Sequence, residues 1–336
     1  MSAPTLREVL EKFPVAGRFM VGFAGTTLPD AVRELLRQGL AGVALYPRNF
    51  TSIEGLTALT AEIRAAASSQ ILIGMDQEGG TRFSLPPPFA QWPSPAKLGA
   101  AADAGAVRRI AQEMGRELAA VGCNLDFAPM LDLHLNPASP VTQYRSYGPN
   151  PALVGRMGAA FIAGLADAGV LSCAKHFPGH GDAAVDPHED LPVFHGTAER
   201  LAQAELVPFA AAIAASVPTI MTAHILLPKI DPAHLASLSR RLLTDLLRAE
   251  MQFEGIILAD DLGMGAIARR FTPGEAAMQT FAAGADVAML CHDWSQVPLA
   301  LAATERAVEK GALSLEEWQA AGERINRVLV SAQRFV

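Results

Sequence analysis

The amino-acid sequence predicts a single α/β domain folded as a (β/α)8 TIM barrel. Short apolar runs of strand length recur along the 336 residues, and each is followed by a segment in which apolar residues return every three or four positions. This alternation is typical of a parallel sheet covered by helices. Eight such repeats in a chain of this length favour a closed barrel over an open doubly wound sheet, which is the alternative fold.

The predicted strands and helices follow one another along the whole chain. The strands occupy residues 18–22, 42–46, 71–75, 124–127, 171–174, 219–223, 255–259 and 286–290. Segments between them, such as AVRRIAQEMGRELAAVG, carry charges opposite an apolar stripe, as outer helices do. Four glycines fall where a left-handed helix cap needs glycine, namely Gly39, Gly122, Gly169 and Gly284. An amphipathic helix over residues 314–334 is expected to pack on the barrel, and no linker interrupts residues 1–336, so one domain is predicted.

Composition excludes several classes of function. With 27 Lys and Arg against 34 Asp and Glu, the chain has a formal charge of −7 and no basic surplus for a nucleic-acid partner. The N-terminal MSAPTLREVLEKF lacks the apolar stretch of a secretory signal, and no later apolar run is long enough to span a bilayer, so we expect a cytoplasmic protein with no membrane partner. Cys123, Cys173 and Cys291 are widely spaced and odd in number, which indicates buried reduced thiols.

Polar residues collect at the ends of three predicted strands. The third strand is followed by residues 76–80 (DQEGG), the fifth by residues 175–182 (KHFPGHGD) and the seventh by Asp260 and Asp261. In a barrel the catalytic groups lie on the loops after the strands, at the C-terminal face. All three groups are therefore predicted to face one mouth.

Asp260 directly follows the apolar run of the seventh strand. A carboxylate that emerges there from the barrel rim is suited to act as a nucleophile. A helix N-cap is the competing structural role, and it fits Asp261 better because Asp261 precedes the next turn.

The loop over residues 177–196 is the segment richest in candidate catalytic side chains, with His180, Asp182, Asp186, His188, Glu189, Asp190 and His195. A loop of this length in a compact domain is usually functional or disordered. Asp186 and His188 stand two residues apart in it, so the carboxylate can orient the imidazole and raise its pKa, as a general acid requires. A solvated acidic loop is the alternative. Lys175 and His176 precede this loop, where they suit the binding of hydroxyl groups.

Together these residues resemble the glycoside hydrolase family 3 β-N-acetylglucosaminidases of bacterial cell-wall recycling. The most specific match is KHFPGHGD at 175–182 with the following D-x-H, and DQEGG at 76–80 is the second. Weaker matches occur in the expected order: RSYG at 145–148, MTAH at 221–224 and LADDL at 258–262. The similarity extends from residue 20 to residue 291, nearly the whole predicted barrel.

The resemblance implies a retaining, exo-acting β-N-acetylhexosaminidase that removes terminal N-acetylglucosamine through a glycosyl-aspartate intermediate, without a metal or another cofactor. It implies Asp260 as nucleophile, His188 as acid/base and Asp186 as the partner of His188. The residues that match sugar-binding positions are Asp76, Arg145, Lys175 and His176. The implied partner is a small carbohydrate or muropeptide from peptidoglycan turnover. The sequence carries no signal for an oligomeric state.

Three positions depart from the family pattern. Thr81 and Ser84 stand where the family usually has arginines, and strand alternation predicts that the nearby Arg82 points away from the sugar. Pro187 separates Asp186 from His188 in place of the commoner serine and is expected to stiffen that loop.

Three other functions remain as alternatives. A metal-dependent barrel hydrolase is one, because His176, His180, Asp182, Asp186 and His188 include suitable nitrogen and oxygen ligands. A carbohydrate-binding barrel without catalysis is the second. A family 3 β-glycosidase or phosphorylase of other sugar specificity is the third. A phosphorylase fits because a histidine that has given up its proton is neutral and repels phosphate less than a carboxylate does.

Overall fold

A closed barrel of eight parallel strands forms the centre of the molecule in the computed structural model, which describes residues 4–83, 85–180 and 183–332. The chain order of the strands is also their order around the barrel, and β1 closes the ring against β8. The fold prediction and all eight predicted strands are confirmed. The strands are β1 Phe19–Val21, β2 Gly42–Ala44, β3 Leu72–Met75, β4 Leu125–Asp126, β5 Leu171–Phe177, β6 Thr219–Thr222, β7 Ile256–Asp261 and β8 Val287–Leu290.

Helices cover the outside of the barrel between successive strands. They are α1 Leu6–Lys12, α2 Asp30–Arg37, α3 Ile53–Ala66, α4 Pro95–Ala101, α5 Ala104–Ala120, α6 Pro151–Asp167, α7 Ala198–Gln203, α8 Leu206–Ala214, α9 Gly265–Ala268, α10 Pro273–Ala282, α11 Gln296–Glu309 and α12 Leu315–Ala332. A π-type helix, Arg241–Glu250, lies between β6 and β7, and short 3-10 turns occur at Val15–Arg18, Pro47–Asn49 and Ala236–Leu238. Two small hairpins, Gln77–Gly79 with Arg82–Phe83 and Leu226–Leu227 with Asp231–Leu235, stand outside the barrel sheet.

Glycines end the outer helices as the sequence predicts. Gly39, Gly122, Gly169 and Gly284 all have positive φ, between 76° and 105°. Two of these positions also have no room for a side chain, because a Cβ on Gly122 or Gly284 would lie 2.4 Å from the hydroxyl oxygen of a neighbouring threonine. All four positions therefore favour glycine for backbone conformation, and Gly122 and Gly284 require it for packing as well.

The N-terminal end of the barrel is closed by α12. Its residues Ile325, Val328 and Leu329 belong to the same apolar cluster as the side chains that fill the barrel, such as Met20 and Leu72. A second, larger cluster fills the space between the strands and the outer helices. Because α12 covers the N-terminal end, the cavity lined by polar side chains lies at the opposite, C-terminal end.

The cysteine prediction is confirmed, since Cys123, Cys173 and Cys291 are buried and free. Burial raises the pKa of the Cys123 and Cys173 thiols to about 12. The thiols therefore stay protonated at neutral pH. Within the described ranges, no helix has the length and apolar character needed to cross a membrane.

Candidate active site

A cavity of about 310 Å³ opens at the C-terminal mouth of the barrel. Strands β2 to β8 and the loops that follow them supply its walls. The polar side chains that line it are Tyr46, Asp76, Thr81, Arg82, Arg145, Lys175, His176, His180, Asp186, His188, Asp260, Asp261 and His292.

Asp260 lies near the end of β7 and lines this cavity. Burial alone would raise the pKa of its carboxyl group, but His224, His176, the amide of Asp261 and His188 together hold it below the ordinary value. The Asp261 amide donates to Asp260 Oδ1 over 2.8 Å. Asp260 is therefore an anion at neutral pH, fixed in place and surrounded by imidazoles.

His224 contacts the end of β7, the strand that carries Asp260. The ring is fully buried, its Nε2 lies 3.0 Å from the carbonyl oxygen of Asp261, and its Nδ1 lies 2.7 Å from the hydroxyl of Ser237. A carbonyl only accepts, so Nε2 carries the proton and Nδ1 accepts from the serine. Burial lowers the pKa of His224, although Asp260 and Asp261 oppose that shift.

Asp186 and His188 form a hydrogen-bonded pair on the loop after β5. Asp186 Oδ1 lies 2.7 Å from His188 Nδ1 and also accepts the His188 amide over 2.9 Å. The hydrogen bond and charge of Asp186, together with the charge of Asp260, raise the pKa of His188 despite partial burial. The same hydrogen bond lowers the pKa of Asp186 to about 2. Because Asp186 occupies Nδ1, Nε2 is the nitrogen left to exchange a proton.

Buried ion pairs form another wall. Lys175 Nζ lies 2.6 Å from Asp76 Oδ1 and 2.7 Å from Glu78 Oε1. Arg145 donates two parallel hydrogen bonds of 2.8 and 2.7 Å to the carboxylate of Glu78. Burial would raise the pKa of Glu78, but Arg145 and Lys175 hold it far below the ordinary value. Each cation of this wall therefore contacts at least one carboxylate, and each carboxylate contacts at least one cation.

His176 is hydrogen-bonded to the buried carboxylate of Asp132. Asp132 Oδ2 lies 2.7 Å from His176 Nδ1, and Asp132 Oδ1 accepts the amide of His180 over 2.7 Å. The rings of His176 and His180 meet edge to face, with centroids 5.0 Å apart. Burial lowers the pKa of His176 although Asp132 opposes that shift. Asp132 thus orients His176 toward the cavity that it lines.

All seven predicted site residues meet around this one cavity: Asp76, Arg145, Lys175, His176, Asp186, His188 and Asp260. Sequence reasoning missed the supporting residues Glu78, Asp132 and His224. Each of the three had a signal, because Glu78 lies within DQEGG, Asp132 follows the fourth strand, and His224 follows the sixth.

The expected orientation of Arg82 is wrong, because Arg82 lines the cavity. The reason is backbone geometry: Gly79 and Gly80 have φ of 92° and 66°, and the hairpin register shifts between Gln77 and Gly79, so strand alternation does not carry through this turn. Thr81 also lines the cavity, whereas Ser84 lies outside the described residues.

Asp261 accepts backbone amides as expected, but its predicted role as a helix N-cap is wrong, because it ends β7 and the next helix, α9, begins only after Met264. Its Oδ1 accepts the amides of Gly263 and Cys291, each over 3.0 Å, and its Oδ2 contacts His292 Nδ1. Asp261 therefore ties the turn after β7 to the end of β8, and its carboxylate is fully engaged there.

The potential metal ligands separate into two places. Ligand atoms of His176 and His180 lie within 4.8 Å of one another and of Asp132. Asp186 and His188 pair with each other elsewhere, and Asp182 lies outside the described residues. Four of the five residues in the predicted ligand set thus divide between two sites, and in the buried group Asp132 already bonds the ring of His176 and the amide of His180.

Comparison with known proteins identifies the family. The model described as Glycosyl hydrolase family 3 N terminal domain matches residues 19–328. A beta-hexosaminidase of Hydrogenovibrio crunogenus is 33% identical, over 95% of this chain and 96% of that protein. A beta-hexosaminidase of Alkalilimnicola ehrlichii is 37% identical, over 85% of this chain and 83% of that protein.

Solved structures agree with the sequence comparisons. A family 3 beta-N-acetylglucosaminidase from Paenibacillus sp. is 37% identical with a TM-score of 0.93, over 98% of this chain and 63% of that chain. A Beta-N-acetylhexosaminidase from Beutenbergia cavernae is 28% identical with a TM-score of 0.86, over 99% and 100% of the two chains. The family match spans most of the barrel and agrees with the motifs at its mouth. This chain therefore belongs to glycosyl hydrolase family 3 and is a glycoside hydrolase.

Proposed function

We propose that this chain is an exo-acting β-N-acetylhexosaminidase that removes terminal β-linked N-acetylglucosamine with retention of configuration. One observation carries the proposal: an ionised carboxylate, Asp260, and a hydrogen-bonded imidazole–carboxylate pair, His188 and Asp186, line the same cavity. Asp260 is the nucleophile, His188 the acid/base and Asp186 its orienting partner. The names of the bacterial relatives support N-acetylhexosamine as the sugar.

In the first step Asp260 attacks the anomeric carbon while protonated Nε2 of His188 gives its proton to the glycosidic oxygen. The bond from carbon to the leaving oxygen breaks, a bond from carbon to Asp260 forms, and the aglycone departs as a neutral alcohol. The raised pKa of His188 favours the protonated ring that this step needs. The lowered pKa of Asp260 favours the anion.

In the second step water attacks the same carbon. The neutral ring of His188 takes the proton of that water, and Asp260 leaves as a carboxylate. Two inversions at one carbon restore the β configuration. Asp186 accepts a hydrogen bond from Nδ1 throughout, so a single tautomer serves both steps.

Asp76, Arg145, Lys175 and His176 bind the hydroxyl groups of the terminal sugar in this proposal. Lys175 and Arg145 are fixed by Glu78, and His176 by Asp132, so their geometry is set before substrate arrives. A cavity closed at its base by the barrel suits a chain end, which supports exo action.

The biological substrate that we propose is a muropeptide released in peptidoglycan turnover, acted on in the cytoplasm. We further propose that residues 1–336 form one catalytic domain, with the segment 314–334 as an accessory helix on the barrel. The near-complete overlap with the Hydrogenovibrio relative supports this organisation.

Hydrolysis of a panel of nitrophenyl β-glycosides tests the activity and the sugar together. We expect the N-acetylglucosaminide to be cleaved with a far higher kcat/KM than the glucoside or xyloside, with the β-anomer as the first product by NMR. Preference for the glucoside contradicts the proposed sugar, and a first-formed α-anomer contradicts the retaining mechanism. Release of a sugar phosphate when phosphate is added identifies a phosphorylase instead. Loss of rate on treatment with a chelator points to a metal-dependent enzyme.

The aglycone is tested separately. We expect a disaccharide of N-acetylglucosamine linked to a muramic acid derivative to be cleaved faster than N,N′-diacetylchitobiose. Equal or reversed rates contradict the proposed muropeptide substrate while leaving the proposed activity intact.

A further inference from the structure

A second group of charged side chains lies at the N-terminal face of the barrel, opposite the mouth. Asp286, just before β8, is fully buried, and its carboxylate accepts hydrogen bonds from Arg248 and Arg324. Arg18, just before β1, is 3% exposed and donates to the carbonyl oxygens of Ala285 and Asp286. Three guanidinium groups therefore surround one carboxylate.

Two nearby carboxylates, one of which also lines the cavity described below, do not balance these charges, because each is paired with another arginine. Glu317 lies 3.0 Å from Arg240, and Glu254 lies 4.0 Å from Arg327. The cluster therefore keeps an excess of two positive charges. Such an excess is costly away from bulk water unless an anion accompanies it.

Two donors of the cluster also lack an acceptor. Nη1 of Arg18 and Nε of Arg248 are buried and have no hydrogen-bond partner within the described ranges. Burial lowers the pKa of both guanidinium groups to about 10, because the single carboxylate of Asp286 does not compensate for lost hydration and for the other arginines. The charge excess and the unpaired donors are two separate signs of a missing acceptor.

A cavity of about 210 Å³ lies beside the cluster, and Arg18, Arg248 and Arg324 all line it. Phe281 and Trp318 cover the guanidinium of Arg18, with ring centroids 4.8 and 4.3 Å from its central carbon. We infer that this cavity binds a small oxyanion of the phosphate class, either free or as the phosphoryl group of a metabolite, between the arginines and the start of α12. The site lies at the far end of the barrel from the sugar cavity and does not depend on the proposed function.

Ser314 offers a way to fill the site without removing an arginine. It is exposed, lines the cavity and caps α12 by accepting the amide of Glu317 over 3.3 Å. Ser314→Asp keeps a good helix cap and places a carboxylate beside the arginines. Ser52→Asp is the matched control, because Ser52 caps α3 in the same way, accepting the Gly55 amide over 3.1 Å, and does not line this cavity.

The experiment measures the Tm of the full chain in phosphate, sulfate, a hexose phosphate and chloride at matched ionic strength. For the wild type we expect phosphate to raise the Tm by about 2 °C relative to chloride when its concentration is several times Kd. Ser52→Asp retains this response. Ser314→Asp has a higher Tm than the wild type in chloride and loses the response to phosphate.

The arms of the experiment separate the sources of the anion. A larger shift with the hexose phosphate than with phosphate assigns the site to a phosphorylated metabolite, and the reverse assigns it to free phosphate. Equal Tm values in phosphate and chloride overturn the inference. An equal phosphate response in Ser314→Asp and the wild type also overturns it, since the anion then binds elsewhere. Nitrophenyl glycoside turnover by Ser314→Asp should match that of the wild type.

Discussion

The two ends of the barrel differ in how many carboxylates accompany their buried cations. At the mouth, Lys175 and Arg145 contact Asp76 and Glu78, so two cations meet two carboxylates. At the opposite face three arginines meet Asp286 alone. A balanced wall suits a neutral ligand that forms many hydrogen bonds, as a sugar does, whereas an unbalanced cluster calls for a charged one. Residual charge thus indicates what kind of ligand each end can accept.

The largest expected effect comes from removing Asp260, the proposed nucleophile, at the mouth. Asp260→Ala is expected to lower kcat by about 10⁴-fold or more, because no other described carboxylate of the cavity stands free to replace it. The Tm should change little. A 2-fluoro or 5-fluoro glycosyl fluoride of the preferred sugar, with peptide mapping by mass spectrometry, should label Asp260 in the wild type. A label on Asp261 or Asp76 contradicts the assignment, and Asp293→Ala, at an exposed site, serves as the control.

Removing His188 is expected to affect substrates unequally. A sugar leaving group needs a proton, which His188 donates in the proposed mechanism, so His188→Ala should slow its release by about 10²- to 10⁴-fold. Nitrophenolate leaves without protonation, so stopped-flow measurement should show a burst of nitrophenol followed by slow turnover that azide accelerates. Equal losses for good and poor leaving groups, without a burst, would make His188 a binding residue only. The acid/base would then be sought in His180, Asp182 and Glu189 of the same loop.

A matched pair of substitutions tests the comparison between the two ends. Glu78→Gln and Asp286→Asn each remove the carboxylate from a buried group of cations, and each should cost about 3–5 kcal/mol of the free energy of unfolding. Chemical denaturation measures this cost. Only Glu78→Gln should also raise KM, because Glu78 fixes Lys175 and Arg145 at the cavity. A raised KM in Asp286→Asn would show that the two ends are coupled.

The Glu78 pair also predicts a dependence on pH. The pKa of Glu78 is lower in the folded chain than in the unfolded one, because the attraction of Arg145 and Lys175 outweighs burial. Its contribution to stability is therefore present above the ordinary glutamate pKa and is lost as the pH falls below it. Denaturation from neutral to acidic pH should show a smaller stability difference between wild type and Glu78→Gln at the acidic end.

The smallest expected effects are shifts of the basic limb of kcat/KM. The pKa of His188 is raised by Asp186 and lowered by Arg82. His188 must be protonated to act as an acid, so Asp186→Asn should move the basic limb to lower pH and Arg82→Gln should move it to higher pH. At neutral pH the Arg82 variant should differ from wild type by about threefold or less. Shifts in the same direction for both variants would contradict this account.

The barrel strands were predictable because residues buried on both faces of a parallel strand form continuous apolar runs. Most of the predicted site residues follow strand ends, where barrel chemistry occurs, whereas Arg145 was expected only from the resemblance to family 3. The residues that hold the site residues in place could not be predicted in this way. Asp132 and His176 are 44 residues apart, and Glu78 and Arg145 are 67 apart, so only the folded chain shows that they are paired.

Arg82 and the arginine cluster show two further limits of sequence reasoning. Alternation along a strand assigns side chains to faces only while the backbone stays regular, and Gly79 and Gly80 interrupt it before Arg82. Arg18, Arg248 and Arg324 lie on three distant segments: Arg18 begins the first predicted strand, and the other two stand in charged segments that resemble ordinary surface. Their meeting around Asp286 depends on the closure of the barrel and on the position of α12.

The contact between the first and last helices links the two ends of the described chain and has a consequence for local unfolding. α1 packs against α12, and the Trp318 indole donates a hydrogen bond of 3.0 Å to the carbonyl of Phe13 at the end of α1. The two ends of the described chain are thus tied together at the N-terminal end of the barrel, where α12 also packs on the side chains that fill it. Opening of α12 should therefore release α1 and uncover the base of the barrel in one step. Hydrogen exchange should then show the amides of the first and last helices exchanging together.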